Sequence, residues 1–76
     1  MAKKKGTRLR LRELRKAKGI TQQKLAMDLN LSQNSISRYE TGEHEAGYDM
    51  LIDFADYYQV SIDYILGRTE NPKLNQ

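Results

Sequence analysis

The chain has 76 residues, no cysteine, a formal net charge of +3 at pH 7 and a mean hydropathy of −0.81. A chain of that length makes one domain, burying only about 60% of the surface its unfolded form exposes; with no cysteine, neither disulfides nor a cysteine zinc site can staple it, and helix packing has to supply the stability. No apolar run approaches the roughly 20 residues of a membrane span, and no apolar segment follows Lys3-Lys4-Lys5 as it would in a secretion signal, so a soluble, cytoplasmic protein is expected.

Five helices and no strand are expected, an all-α class. Residues 1–6 read as a basic arm ahead of a domain over 7–67. The first helix covers about 7–18, where Leu11 and Leu14 recur at i, i+3 between Arg and Lys. Gly19 closes it, because glycine takes the left-handed position after a helix without steric cost. The second covers about 21–29, with Thr21 as N-cap and Leu25, Ala26 and Leu29 on one face. Asn30 then stands where a left-handed residue is needed, a position asparagine tolerates best after glycine. Ser32 caps a third helix over about 32–40, closed by Thr41-Gly42. A fourth, over about 48–58, places Tyr48, Leu51, Phe54, Ala55 and Tyr58 on one stripe. Ser61 opens a short fifth helix to residue 66, stopped by Gly67. Residues 68–76 read as a polar tail, either disordered or the stump of a linker.

The small net charge conceals an asymmetry. Residues 1–20 hold nine Lys and Arg against Glu13 alone, and residues 21–42 balance Lys24 and Arg38 against Asp28 and Glu40. Residues 43–66 hold six acids and no Lys or Arg. One part of such a chain attracts a polyanion and another repels it, although a solvated basic helix beside an acidic one would read the same way.

Residues 22–41 are the most informative. Ala26 is small enough to let another helix approach, Asn30 supplies a tight turn, and Ile36 points back toward Leu25 and Ala26, with Leu29, Leu31 and Tyr39 completing the apolar set. This spacing describes two short helices crossing steeply after a tight turn. The opposite face of the second of them holds Gln33, Asn34, Ser37, Arg38 and Thr41. Amides bond bidentately to adenine and guanidinium to guanine, whereas Lys and Glu, the usual choices for a solvated face, are nearly absent there.

The segment ITQQKLAMDLNLSQNSISRYETG resembles the helix-turn-helix of the Cro and phage-repressor family, also called the XRE family. The similarity extends upstream through LRELRKAKG and downstream through DMLIDFADYYQVSIDYILG, over about residues 8–67. The resemblance implies a five-helix phage-repressor-like domain that binds double-stranded DNA, without a cofactor, as a homodimer on a pseudo-palindromic operator. Its two recognition helices would enter major grooves about 34 Å apart, and it would repress by occupying its promoter. Gln33, Asn34, Ser37 and Arg38 match base-reading positions. Gln22 matches a glutamine that binds phosphate and braces the residue opening the third helix. Thr21, Ser32, Ser35 and Thr41 match further phosphate-holding positions, to which Lys5 and Arg10 add basic side chains near the arm. Arg15 and Glu40 match a structural ion pair between the first and third helices. Two positions depart from the pattern: Asn30 replaces the usual turn glycine, and Glu43-His44-Glu45-Ala46 replaces a loop often rich in Lys, Arg and Pro. The second departure removes phosphate contacts that the lysine arm could make up, at the backbone or in a minor groove; a merely solubilising arm is the other reading.

The remaining features have plainer readings. His44 has no second ligand-like partner, and Asp49, Asp53 and Asp56 read as a solvated helix face rather than a cation site. Tyr57, Tyr58 and Tyr64 exceed what so small a core needs, which fits either a dimer interface or partial burial. No nucleophile–base pair, phosphate loop or metal set can be assembled, so an enzyme is excluded. A different class stays open alongside the DNA-binding regulator: an antitoxin-like or accessory protein whose main partner is another protein, favoured by the acidic segment from Glu43 to Asp63.

Overall fold

A computed structural model describes residues 9–73. Within them the chain forms five α-helices and no strand: α1 (Leu11–Lys18), α2 (Gln22–Leu29), α3 (Gln33–Thr41), α4 (Tyr48–Tyr58) and α5 (Ile62–Ile65). The same local device starts three of them. Thr21, Ser32 and Ser61 lie in extended backbone, and each hydroxyl accepts from the backbone N–H three residues on, at Lys24, Ser35 and Tyr64, satisfying one orphan donor of the first turn. Left-handed residues end four of the helices: Gly19, Asn30, Gly42 and Gln59. After α2 the chain reverses through Asn30 (φ 62°), and the Leu31 N–H reaches the Ala26 carbonyl at 2.8 Å, a Schellman closure. Gln59 takes the same conformation (φ 59°), which its side chain did not advertise; the Val60 N–H closes that turn on the Ala55 carbonyl at 3.0 Å.

Leu11, Leu25, Ile36, Phe54 and Ile65, one from each helix, are fully buried and meet at the centre. Ala26, also buried, lies where α2 packs on α3; α1 packs on α3, and α4 on α5. None of the described helices is long and apolar enough to cross a membrane.

Three expectations need correction. The first helix starts at Leu11, not near residue 7: Leu9 and Arg10 are not helical, and Arg10 instead donates its backbone N–H to the Ile65 carbonyl at 3.0 Å. That bond ties the entry of α1 to the end of α5 and takes Arg10 out of helical register. Tyr48 does not share the buried stripe of α4. It is 86% exposed at the first position of the helix, while Leu51, Phe54 and Ala55 go inward. The tail up to Lys73 is not detached from the domain, because the Pro72 carbonyl accepts from the Ser61 N–H at 3.0 Å and Glu70 pairs with Arg10 at 3.1 Å.

Candidate nucleic-acid interface

The geometry of α3 follows from its sequence. Ile36 and Glu40, one turn apart, are buried and fix the inward face. Asn34, Arg38 and Thr41 are consequently exposed and Ser37 is half-buried on the opposite face, while Gln33, three residues before Ile36 on the inward side, is exposed because it opens the helix. Three of the positions expected to read bases, Asn34, Ser37 and Arg38, thus share one side of a helix held by a cap at each end, and the fourth, Gln33, stands at its first turn. Ser32 and Ser35 are joined at the N-terminus, with 3.0 Å between their hydroxyls and 3.1 Å from the Ser35 N–H to the Ser32 oxygen. At the other end the Thr41 hydroxyl donates to the Arg38 carbonyl at 3.2 Å and accepts from the Glu43 N–H at 3.4 Å.

Behind this face lies a charge. Glu40 is 1% exposed, and an isolated carboxylate so buried would be costly. It is compensated several times over. The Arg15 guanidinium donates from Nε to one carboxylate oxygen at 2.7 Å and from a terminal nitrogen to the other at 3.4 Å, while Arg12 approaches to 3.8 Å. Arg15 also donates to the Ile20 carbonyl at 3.0 Å, which ties α1 to the entry of α2. Gln22, at the start of α2, donates from Nε2 to the same carboxylate at 3.0 Å and accepts from Gln33 Nε2 at 3.4 Å. Gln22 is therefore placed between the buried ion pair and the first residue of α3.

The remaining sequence-derived positions divide. Thr21 lies at the N-terminus of α2, its hydroxyl engaged by the Lys24 N–H at 3.0 Å. Arg10 does not join this group: it pairs with Glu70, and its guanidinium lies 4.4 Å from the centre of the Tyr64 ring, at the α5 end. Lys5 lies outside the described residues. The acidic loop after α3 is held by the His44 N–H donating to the Arg38 carbonyl at 3.1 Å, and the His44 ring packs on Tyr39, centroids 4.9 Å apart. Among the described residues no three metal-ligating side chains cluster, at Asp49, Asp53 and Asp56 or elsewhere.

Sequence reasoning did not find Arg12 as a member of the Glu40 cluster, although its place one turn before Arg15 on α1 was a usable signal. It also missed the tyrosine contacts. The Tyr57 hydroxyl bonds to Asp28 on α2, which in turn pairs with Lys24 at 3.2 Å, and Lys18 lies 5.4 Å from the Tyr57 ring centre. That hydrogen bond, above all, raises the Tyr57 phenol to about 12, and together with Lys24 it lowers the Asp28 carboxyl below its ordinary value. Tyr58, edge-on to Tyr57, buries its hydroxyl with no hydrogen-bond partner among the described residues; burial foremost, and then the negative charge of Glu40, drives its pKa upward.

Comparison with known proteins agrees with this architecture. The helix-turn-helix family HTH_3 matches residues 11–65, the span of all five helices. The chain is 39% identical over 67 residues to the HTH-type transcriptional regulator ImmR of Bacillus subtilis, covering 88% of this chain and 53% of that protein. It is 41% identical over 63 residues to the uncharacterized HTH-type transcriptional regulator YobD of the same organism, covering 83% and 56%. To the cryptic phage CTXphi transcriptional repressor RstR of Vibrio cholerae it is 37% identical over 59 residues, covering 78% and 53%. The chain thus spans about half the length of these relatives, and no solved structure matches it significantly. With its capped α2–turn–α3 unit and a family match running from the first helix to the last, the chain belongs to the XRE-type helix-turn-helix family.

Proposed function

We propose that this chain binds double-stranded DNA sequence-specifically and regulates transcription, as a repressor that occupies its operator with α3 in the major groove. The observation that carries this reading is the solvent-facing set on α3, the Gln33 amide at its first turn and the Asn34 amide, Ser37 hydroxyl and Arg38 guanidinium on its outward face, with no Lys or Glu among them and a buried ion pair behind. In this reading Gln33, Asn34, Ser37 and Arg38 contact base edges. Thr21, Gln22, Ser32, Ser35 and Thr41 hold phosphates near the N-termini of α2 and α3 and the end of α3. Lys5 adds charge from the arm, and Arg10 contributes only when it leaves Glu70. The protein acts as a homodimer on a pseudo-palindromic site, in the cytoplasm, where the DNA is. Its membership of a family whose named relatives are transcriptional regulators supports the activity; for the sign, the relative RstR is named a phage repressor and the relative BcrR an activator, so repression rests on the test below.

The test is fluorescence anisotropy at two salt concentrations, on a duplex taken from upstream of the protein's own gene and on a random duplex of equal length. Specific regulation predicts at least about a thousandfold preference for the first, with a salt slope that counts the phosphates contacted. Equal, weak binding to both refutes it. A promoter fusion settles the sign, since a rise in expression on adding the protein contradicts repression.

A second reading has its own observation. Tyr48 and Ile52, one turn apart on α4, are 86% and 46% exposed in a segment holding six acids and no Lys or Arg, a surface suited to a protein partner as in an antitoxin-like or accessory factor. DNA binding indifferent to replacing Gln33 and Asn34 by alanine favours that reading.

A further inference from the structure

We propose that the groove between the α3–α4 loop and the end of α5 is the docking site of this chain's own basic arm, residues 1–8, which lays Lys3, Lys4 and Lys5 against Glu43, Glu45 and Asp49 until DNA draws them away. The groove measures about 560 Å³, and Leu9, Tyr39, Ala46, Leu51 and Leu66 supply its apolar lining. Glu45 and Tyr48 line it too. Glu43 and Asp49 stand within two residues of them in sequence, and all four side chains are exposed. Among the described residues none of the three carboxylates has an ion-pair partner. Most of the described cations are matched elsewhere: Arg12 and Arg15 at Glu40, Arg10 at Glu70, Lys24 at Asp28 and Arg68 at Asp63. The arm brings four more, Lys3, Lys4, Lys5 and Arg8.

Position selects the occupant. The arm, which lies outside the described residues, joins the domain at Leu9, itself a lining residue of the groove. Lys5 is four residues from Leu9, a span of at most about 14 Å, so the arm meets the groove at the high effective concentration of a short tether. Its composition suits both parts of the groove. Met1 and Ala2 are apolar, and lysine stems cover apolar surface while their ammonium groups stay in water at the rim. Tyr48, 86% exposed, offers a ring face to one of those ammonium groups. Such pairs are individually weak and screened by salt; several together hold the arm without making it immovable. DNA phosphates compete for the same lysines. On the reading of this chain as a DNA-binding protein, on which this consequence rests, the acidic loop is a brake in cis: arm charge reaches phosphate only after leaving the carboxylates.

The test has two parts, both on the full chain. The first uses no DNA. Trypsin cleavage after Lys3, Lys4 and Lys5 is followed by mass spectrometry in the wild type and in a variant carrying Glu43→Gln, Glu45→Gln and Asp49→Asn, because cleavage tracks the population of the undocked arm. A free peptide of residues 1–10 sets the undocked rate at each salt concentration. Cleavage is expected to be at least about fivefold faster in the variant, the combined effect of three exposed ion pairs, and the wild-type rate to approach that of the peptide as salt rises. Equal rates in the wild type and the variant overturn the proposal. Protection that fades on dilution overturns it too, by assigning the arm to a second copy. The second part measures the salt dependence of binding to a random duplex. Replacing the three acids is expected to steepen the slope by about one for each lysine released. In a chain that also carries Lys3→Ser, Lys4→Ser and Lys5→Ser, the same replacements are expected to leave the slope unchanged. Equal steepening with and without the lysines traces the effect to direct repulsion of DNA and overturns the brake. If no variant binds DNA, the DNA-binding reading falls and the brake with it, while the cleavage rates still decide the docking.

Discussion

Residues 21–42 and residues 43–66 stand on one apolar core and are finished in opposite ways. The first region has no net charge, yet it carries the face proposed to meet a polyanion, and its buried members include a carboxylate. The second holds six acids, has Phe54 and Leu51 as its buried anchors, and leaves Tyr48 and Ile52 in solvent. If that proposal holds, regional charge is a poor locator of recognition in this molecule. The same holds for the basic first twenty residues. Arg12 and Arg15 are directed at Glu40, Arg10 at Glu70 and Tyr64, and Lys18 at Tyr57, so much of that charge is engaged within the fold. What distinguishes the first region is an ordered set of hydrogen-bonding groups on a helix whose other side is immobilised.

The sharpest way to break the contrast is to remove the anchor of each region. Phe54→Ala empties the centre of the core and is expected to lower the unfolding free energy by about 3–5 kcal/mol. Glu40→Ala leaves Arg15 without its partner and is expected to cost about the same, 3–5 kcal/mol, for an electrostatic reason. Denaturant unfolding of the two variants measures both. A Glu40→Ala cost below about 1 kcal/mol would mean that the charge is not what holds α3 against α1.

A smaller effect separates the surfaces. Arg38→Ala is expected to weaken binding to the preferred duplex by about 1–3 kcal/mol and to relax selectivity at one base. Asp53→Asn with Asp56→Asn is expected to leave the order of preferred sequences unchanged. If the paired aspartate changes reorder those sequences and Arg38→Ala does not, the wrong half has been assigned to the groove.

Tyr58→Phe is expected to raise stability, by roughly 1 kcal/mol, because it deletes a buried hydroxyl with no partner among the described residues. Thermal unfolding that shows a loss instead would reveal a bond made by that hydroxyl.

The smallest effect is a dependence on pH at the seam between the halves. Asp28 has its carboxyl lowered by Tyr57 and then Lys24, so its contribution is complete above the unfolded-state value, near 4, and fades as pH falls through the lower folded-state value. Tyr57 is raised to about 12, so its contribution is complete below about 10 and is lost as pH rises toward 12. Melting temperatures across both ranges should flatten at the acid end in Asp28→Asn and at the alkaline end in Tyr57→Phe. Curves that match the wild type would remove the Tyr57–Asp28 bond from the account of how α4 is held to α2.

The sequence by itself determined the five helices, most of their ends and the division of α3 into two faces. These are local matters: a threonine or serine hydroxyl caps whatever helix begins beside it, asparagine or glycine accepts a positive φ, and residues one turn apart share a side wherever the helix lies. Even Arg15 and Glu40 were paired by resemblance before any distance was known. Tertiary structure alone decided the rest. Whether Arg10 begins a helix depended on the Ile65 carbonyl, 55 positions away in number and 3.0 Å away in space. Whether the tail lay free depended on the Ser61 N–H finding the Pro72 carbonyl, and whether Tyr48 was buried depended on what stood over the first turn of α4. The place of Arg12 beside the buried Glu40 belongs to this second kind. The two residues come from different helices, and the force between them depends on exclusion of water, a condition that exists only once the helices have closed around the carboxylate.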